Sequence, residues 1–157
     1  MKRTAIKAAK EAAKIILHYY SENVNAISKT NTCDLVTKAD IESENKIISI
    51  IKNKFPNHSI LTEESGEEIH KSDYCWVIDP LDGTNNFYHK FPMFCVSIAL
   101  YKKGKPLIGV VFDPLKKEFF YAEKNEGAYL NDKKINVSSV RSLNKALLVL
   151  GFYYERG

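Results

Sequence analysis

The chain has 157 residues, 45% hydrophobic and 11% aromatic, enough apolar material for one globular domain with a substantial core. Its 23 lysines and arginines stand against 19 acids, and the net charge of +4 forms no dense basic stripe of the kind that binds nucleic acid. No uncharged run nears the ~18 residues of a membrane span. The three cysteines, Cys33, Cys75 and Cys95, are odd in number and include no Cys-x-x-Cys pair, which argues against a zinc or disulfide framework and fits a reducing, cytoplasmic setting.

Residues 4–22 carry Ile6, Ala9, Ala13, Ile16, Leu17 and Tyr20 at gaps of three and four, which predicts an amphipathic helix. Lys7, Lys10, Glu11 and Lys14 interrupt the apolar stretch that a secretory leader would need. The pattern returns over 41–55 with Ile41, Ile47, Ile48 and Ile51; Asp40 is the expected N-cap of this second helix, and Pro56 its stop. After Pro56 the period changes. Short strands are predicted at Ser59–Thr62 and Tyr74–Ile78, each running into acids, Glu63-Glu64 and Asp79. Cys95–Lys102 and Pro106–Phe112 read as strands joined by Lys103-Gly104-Lys105, with Glu118–Ala122 pairing onto the second. Gly127–Leu130 and Lys134–Val137 flank Asn131-Asp132, a tight-turn pair, and Ala146–Leu150 is expected as a last buried strand. Two helices followed by hairpin-linked strands predict an α+β domain, a layered sandwich with both N-terminal helices packed on a mostly antiparallel sheet.

The stretch Trp76–Phe87, WVIDPLDGTNNF, carries the most chemistry. An apolar strand runs into Asp79 and Asp82, followed at once by Gly83 and Thr84. Carboxylates at a strand end suit a hard cation such as Mg²⁺, and the amides of Gly83 and Thr84 at a helix start suit phosphate. Asp40 and Glu63 bring further carboxylates from two other segments. Phosphate monoesters need up to ~10²¹-fold acceleration over water. Two cations roughly 3.5–4 Å apart, held by converging acids, are the usual means. Taken singly, Asp40 reads as a helix cap, Glu63 and Glu64 as solvated loop acids, and Asp79 to Gly83 as turn residues. The order of strand, spaced acids, glycine and hydroxyl is what outweighs those readings. His18, His58, His70 and His89 are scattered without ligand spacing and are expected at the surface or at helix ends.

WVIDPLDGTNNF resembles the signature of the inositol monophosphatase family, whose fold is similar to that of fructose-1,6-bisphosphatase and the lithium-sensitive nucleotide phosphatases. DLVTKAD at 34–40, TEES at 62–65, Phe91-Pro92, GVVFDP at 109–114 and GAYLN at 127–131 agree with it in order and spacing. The resemblance implies a first Mg²⁺ on Glu63, Asp79 and the Leu81 carbonyl, and a second bridged by Asp79 and bound by Asp82. It implies two or three ions in a complete enzyme, with lithium inhibiting at the second site. Asp40 and Thr84 would position and help deprotonate the attacking water, with Glu63 beside them. Asp82, Gly83 and Thr84 would meet the phosphate, Lys29 would lie near the metals, and Glu64 is an acid beside the ligand. The implied substrate is inositol monophosphate or a similar polyol phosphate. Fructose 1,6-bisphosphate and a nucleotide 3′-phosphate are the rivals. No nucleic-acid or membrane partner is expected, and a homodimer is.

The family's second motif, Trp-Asp followed by small residues in a C-terminal domain, is not among these residues: the one tryptophan is Trp76. Residues 1–157 are therefore expected to be the N-terminal metal- and phosphate-binding domain without its C-terminal companion. Such a domain would bind metal and phosphate yet hydrolyse slowly or not at all. A non-catalytic metal- and phosphate-binding module is the alternative from a different class. The aromatic run Phe152-Tyr153-Tyr154 is expected to pack on a further surface.

Overall fold

The computed structural model describes residues 1–22 and 37–149 in full, and 26–28 with 35–36 as backbone. Helix α1 spans Lys2–Ser21; a small antiparallel ribbon, β1 (Ala26–Ser28) with β2 (Leu35–Thr37), leads into helix α2 (Lys38–Lys52). Strands β3 (Ser59–Thr62), β4 (Glu67–Glu68) and β5 (Tyr74–Asp82) come next, and the single-turn helix α3 (Thr84–Tyr88) follows β5. A meander completes the described chain: β6 (Cys95–Lys102), β7 (Lys105–Asp113), β8 (Glu118–Glu123), β9 (Gly127–Leu130) and β10 (Lys133–Ile135). The main sheet has eight strands in the order β10-β9-β8-β7-β6-β5-β3-β4. Every pair is antiparallel except β3 with β5, so the fold is the expected helix pair on a mostly antiparallel sheet.

The helices pack on one sheet face through alternate residues of the central strands: Trp76 and Ile78, Val96, Ile98 and Leu100, Ile108 and Val110. The buried stripe of α1 is Ala5, Ala8, Ala9, Ala12, Ala13 and Ile16, rotated from the predicted one; Leu17 remains 37% exposed. Small residues let α1 lie close to α2 and the sheet, so the alanines outrank the longer Leu17 for the inward face. On α2 the buried face is Ala39, Asp40, Ser43, Glu44, Ile47 and Ile51, while the predicted Ile41 faces outward. The apolar half of that face anchors the helix: a fully buried isoleucine contributes about 1.5–3 kcal/mol. The other half carries two carboxylates.

Three further expectations need correction. The N-cap of α2 is Thr37: its Oγ1 accepts from the Ala39 amide at 3.1 Å, and Asp40 is the third helical residue of a capping box. Residues 146–149 form no strand, and Leu147 and Val149 are 94% and 89% exposed. An apolar run gains burial as a strand only beside a partner ladder, and among the described residues the sheet ends at β10. His58 is built into the edge of the core. Its ring stacks on Phe55 and Tyr74, and its Nδ1 accepts the Trp76 indole N–H at 3.1 Å. Burial pushes its pKa down. The Phe152-Tyr153-Tyr154 run and Leu150 lie outside the described residues.

Candidate active site

Strand β5 continues past its predicted end, through Asp79, Pro80 and Leu81 to Asp82. Its register against β6 slips between Asp79, opposite Ser97, and Asp82, opposite Cys95. That irregularity lets a strand that should alternate faces turn both carboxylates toward the site. Asp79 is half-buried, with Oδ1 accepting the Leu81 amide at 3.2 Å. Its pKa is pushed up to about 8, first by burial, then by the charges of Glu63 and Asp82 and a hydrogen bond shared with Glu63. Burial and two like charges thus act together to disfavour ionisation of this carboxyl.

Gly83 turns the chain from β5 into α3. Its φ of +94° is left-handed, and a Cβ there would lie 2.9 Å from the Met93 carbonyl oxygen. Only glycine meets both conditions without strain. The next residue, Thr84, donates from Oγ1 to Asp40 Oδ1 at 2.8 Å and lies 3.1 Å from the Leu81 carbonyl. Asp40 is 1% exposed, and its second oxygen accepts from the Thr37 amide at 2.8 Å and the Thr37 hydroxyl at 2.5 Å. Burial raises the Asp40 pKa, and the Thr37 and Thr84 hydrogen bonds hold it partly down. The carboxylate is thus fully oriented by its donors, and a buried base of raised pKa suits proton acceptance.

Glu63 sits in the loop between β3 and β4. The Thr62 amide and hydroxyl donate to the Gly66 carbonyl at 2.7 and 3.0 Å, closing that loop. Glu44, a residue to which the sequence reading gave no role, lies beneath it. It is 3% exposed and accepts the amides of Glu64 (Oε2, 3.0 Å) and Ser65 (Oε1, 3.1 Å). Cys95 approaches Asp82 from β6, with Sγ 3.7 Å from Oδ2; burial, then Asp82, pushes the thiol up to about 12. Beyond Asp82 and Gly83 an open cleft of about 410 Å³ runs past Asn86 and Cys95 to Asp113 and Lys116.

The structure therefore links Asp40, Thr84 and Leu81 by hydrogen bonds, and Glu63, Asp79 and Asp82 by charge. Lys29 lies outside the described residues. Among the described residues no three side chains are drawn into a closed metal cage. The donor set is nonetheless hard oxygen throughout, three carboxylates and a carbonyl, which fits Mg²⁺ better than any soft or zinc-type ion. No described helix is long and apolar enough to cross a membrane.

The inositol monophosphatase family model matches residues 1–157. An inositol-1-monophosphatase of Synechocystis is 50% identical over 124 residues, 78% of this chain and 43% of that protein. The Nus factor SuhB of Pasteurella multocida is 43% identical over 159 residues, covering 99% of this chain and 59% of its own length. The crystal structure of the extragenic suppressor protein suhB from Bartonella henselae superposes with a TM-score of 0.85 at 37% identity. The match covers 88% of this chain and 55% of that one. The chain thus spans about half the length of the relatives that it matches.

Proposed function

This chain belongs to the inositol monophosphatase family, and from that membership we propose that it carries the metal- and phosphate-binding half of a Mg²⁺-dependent phosphatase for sugar or polyol phosphate monoesters. Inositol monophosphate is the first substrate, ahead of fructose 1,6-bisphosphate and a nucleotide 3′-phosphate. The observation that carries the reading is the Thr84–Asp40 hydrogen bond set beside a carboxylate, Asp79, whose proton is held to about pH 8. Glu63, Asp79 and the Leu81 carbonyl would hold one ion, and Asp79 with Asp82 a second. Bound there, Mg²⁺ supplies Lewis acidity to the phosphoryl oxygens and lowers the pKa of a coordinated water.

The chain's own residues do the rest. Thr84 Oγ1 donates its hydrogen bond to Asp40, leaving its lone pairs to accept one from a water in the site. Asp40, buried and doubly held by Thr37, keeps that hydroxyl aimed. Gly83 and Thr84 open α3 toward the phosphate, and Asp82 stands at the mouth of the cleft that leads away from it. A cytoplasmic setting and a homodimer belong to the same proposal.

A second reading is a protein-factor role in place of catalysis, or beside it. The observation favouring it is the name Nus factor SuhB carried by a relative aligned over nearly the whole chain. Phosphate release from inositol 1-phosphate and fructose 1,6-bisphosphate, with and without Mg²⁺, separates the two. Mg²⁺-dependent turnover that vanishes in Asp79→Asn supports the hydrolase. Mg²⁺ binding without turnover supports a half-site whose chemistry belongs to a longer protein. The absence of both Mg²⁺ binding and turnover overturns the metal reading.

A further inference from the structure

Helix α2 presents two buried carboxylates one turn apart. Asp40 and Glu44 are i and i+4, so they lie on the same face. They reach different parts of the site. Asp40 accepts the hydroxyl of Thr84 at the end of β5, whereas Glu44 accepts two successive amides just after Glu63, beyond β3. These are the two segments that must be held in register for Glu63 and Asp79 to share one cation.

A buried glutamate is costly unless its lone pairs are met. Here backbone amides meet both oxygens, one each, and the partners sit in a loop that is otherwise exposed: Glu63 and Ser65 are solvent-facing. The arrangement differs from a helix cap or a surface ion pair. A carboxylate rooted in a rigid helix fixes the backbone of a short loop whose first residue is the acid of interest. Within the loop, Thr62 bonds to Gly66 and to Ser65 and closes the segment on itself.

We propose that Glu44 is a positioning residue: its carboxylate clamps the Glu64 and Ser65 amides so that Glu63 is held at the distance from Asp79 that Mg²⁺ requires. This rests on the metal reading above. Groups that orient a ligand from behind commonly cost 10–100-fold in metal affinity when altered. Glu44→Gln keeps the shape but turns an NH₂ toward one of two amide donors, so only one bond survives. Glu44→Asp keeps the charge but withdraws the carboxylate by about one methylene. Neither variant touches a metal or substrate atom. Glu42→Gln is the matched control, because it removes the same charge from the same helix on the face where Glu42 accepts the Tyr19 hydroxyl at 2.6 Å.

The test measures Mg²⁺ affinity by calorimetric titration, and amide hydrogen exchange at residues 64 and 65, for wild type, these three variants and Asp79→Asn. The expected result is Mg²⁺ binding weakened at least tenfold in Glu44→Gln and in Glu44→Asp. Exchange should accelerate by a similar factor at 64 and 65, with wild-type behaviour in Glu42→Gln. Should Glu44→Gln fail to fold, Glu44→Asp decides alone. Wild-type affinity in the folded Glu44 variants, with binding lost in Asp79→Asn, overturns the positioning role and spares the metal site. An equal loss in Glu42→Gln also overturns it, because net charge then explains the effect. Binding absent from wild type, or retained in Asp79→Asn, brings down the metal reading and this inference with it.

Discussion

Replacing Asp79 by asparagine should stabilise the metal-free protein at alkaline pH while removing Mg²⁺ binding. Asp79 has a folded pKa of about 8 against an ordinary 3.8, raised first by burial and then by Glu63 and Asp82. A carboxyl raised in the folded state binds protons more tightly there than in the unfolded chain. Its contribution to stability is therefore complete below about pH 4 and is lost as pH climbs through about 8. Each pH unit in that window costs at most about 1.4 kcal/mol, so the span from pH 6 to pH 8 has a ceiling near 3 kcal/mol. Asp79 keeps some solvent contact and its partners Glu63 and Asp82 are exposed, so screening reduces this to roughly 1 kcal/mol. The asparagine side chain can still accept from the Leu81 amide and can donate to Glu63, so the local geometry survives. The assay is urea unfolding in EDTA at pH 6 and pH 9, followed through Trp76, the single and fully buried tryptophan. Wild type should lose roughly 1 kcal/mol between the two conditions and Asp79→Asn almost nothing. Excess Mg²⁺ should restore wild type at pH 9 and leave the variant unchanged. A variant less stable than wild type at both pH values, or one with the same pH slope, would refute the account of charge crowding.

Thr84→Val leaves Asp40 Oδ1 buried without its donor and should cost about 1–3 kcal/mol, while Thr84→Ser should be close to neutral. Urea midpoints for the two decide whether the hydroxyl or the shape matters. Gly83→Ala must enter the left-handed region and press on the Met93 carbonyl. A loss above about 1–2 kcal/mol is expected, and Gly104→Ala, also left-handed but with open space around it, should show the backbone share alone. His58 has a lowered folded pKa, so its contribution is present above the ordinary histidine value and is lost as pH falls through the folded one. Thermal midpoints between pH 7.5 and 5 should fall on that account, and His58→Gln, which keeps an acceptor for the Trp76 indole, should flatten that part of the curve.

Much of the site was legible because it breaks the rules of its own element. Asp79 and Asp82 stand in an otherwise apolar strand and ask for an explanation that a turn does not supply. The acids whose setting is ordinary were harder to read. Glu44 sits in a polar stretch of α2, where a lone glutamate reads as solvated; only the packing of Ala39, Ser43 and Ile47 around the same face turns it inward. Asp40 was visible as a residue at a helix start, but its place as the third residue of a capping box depends on the extended backbone of Thr37. The apolar run that marks β5 ends at Asp79, whereas the strand continues to Asp82, with Pro80 tolerated at a register slip where the ladder is already broken. Strand β4 consists of Glu67-Glu68 alone and carries no apolar period, as suits a charged edge. The 146–149 run shows the opposite error: an apolar pattern states a preference for burial but provides no neighbour.

The parallel pairing of β3 with β5 has a consequence for cooperativity. Both strands point the same way, so their C-terminal ends deliver Glu63 and Asp79 to one edge of the sheet. That adjacency does not exist in any local segment; it arises only when strands separated by β4 and its loops dock side by side, with α2 packed against β5. A partly unfolded chain would hold the same acids far apart, with ordinary proton affinities and nothing to gather a divalent ion. Recognition by this site is therefore an all-or-none property of the assembled sheet, and the ion, where it binds, counts only native molecules.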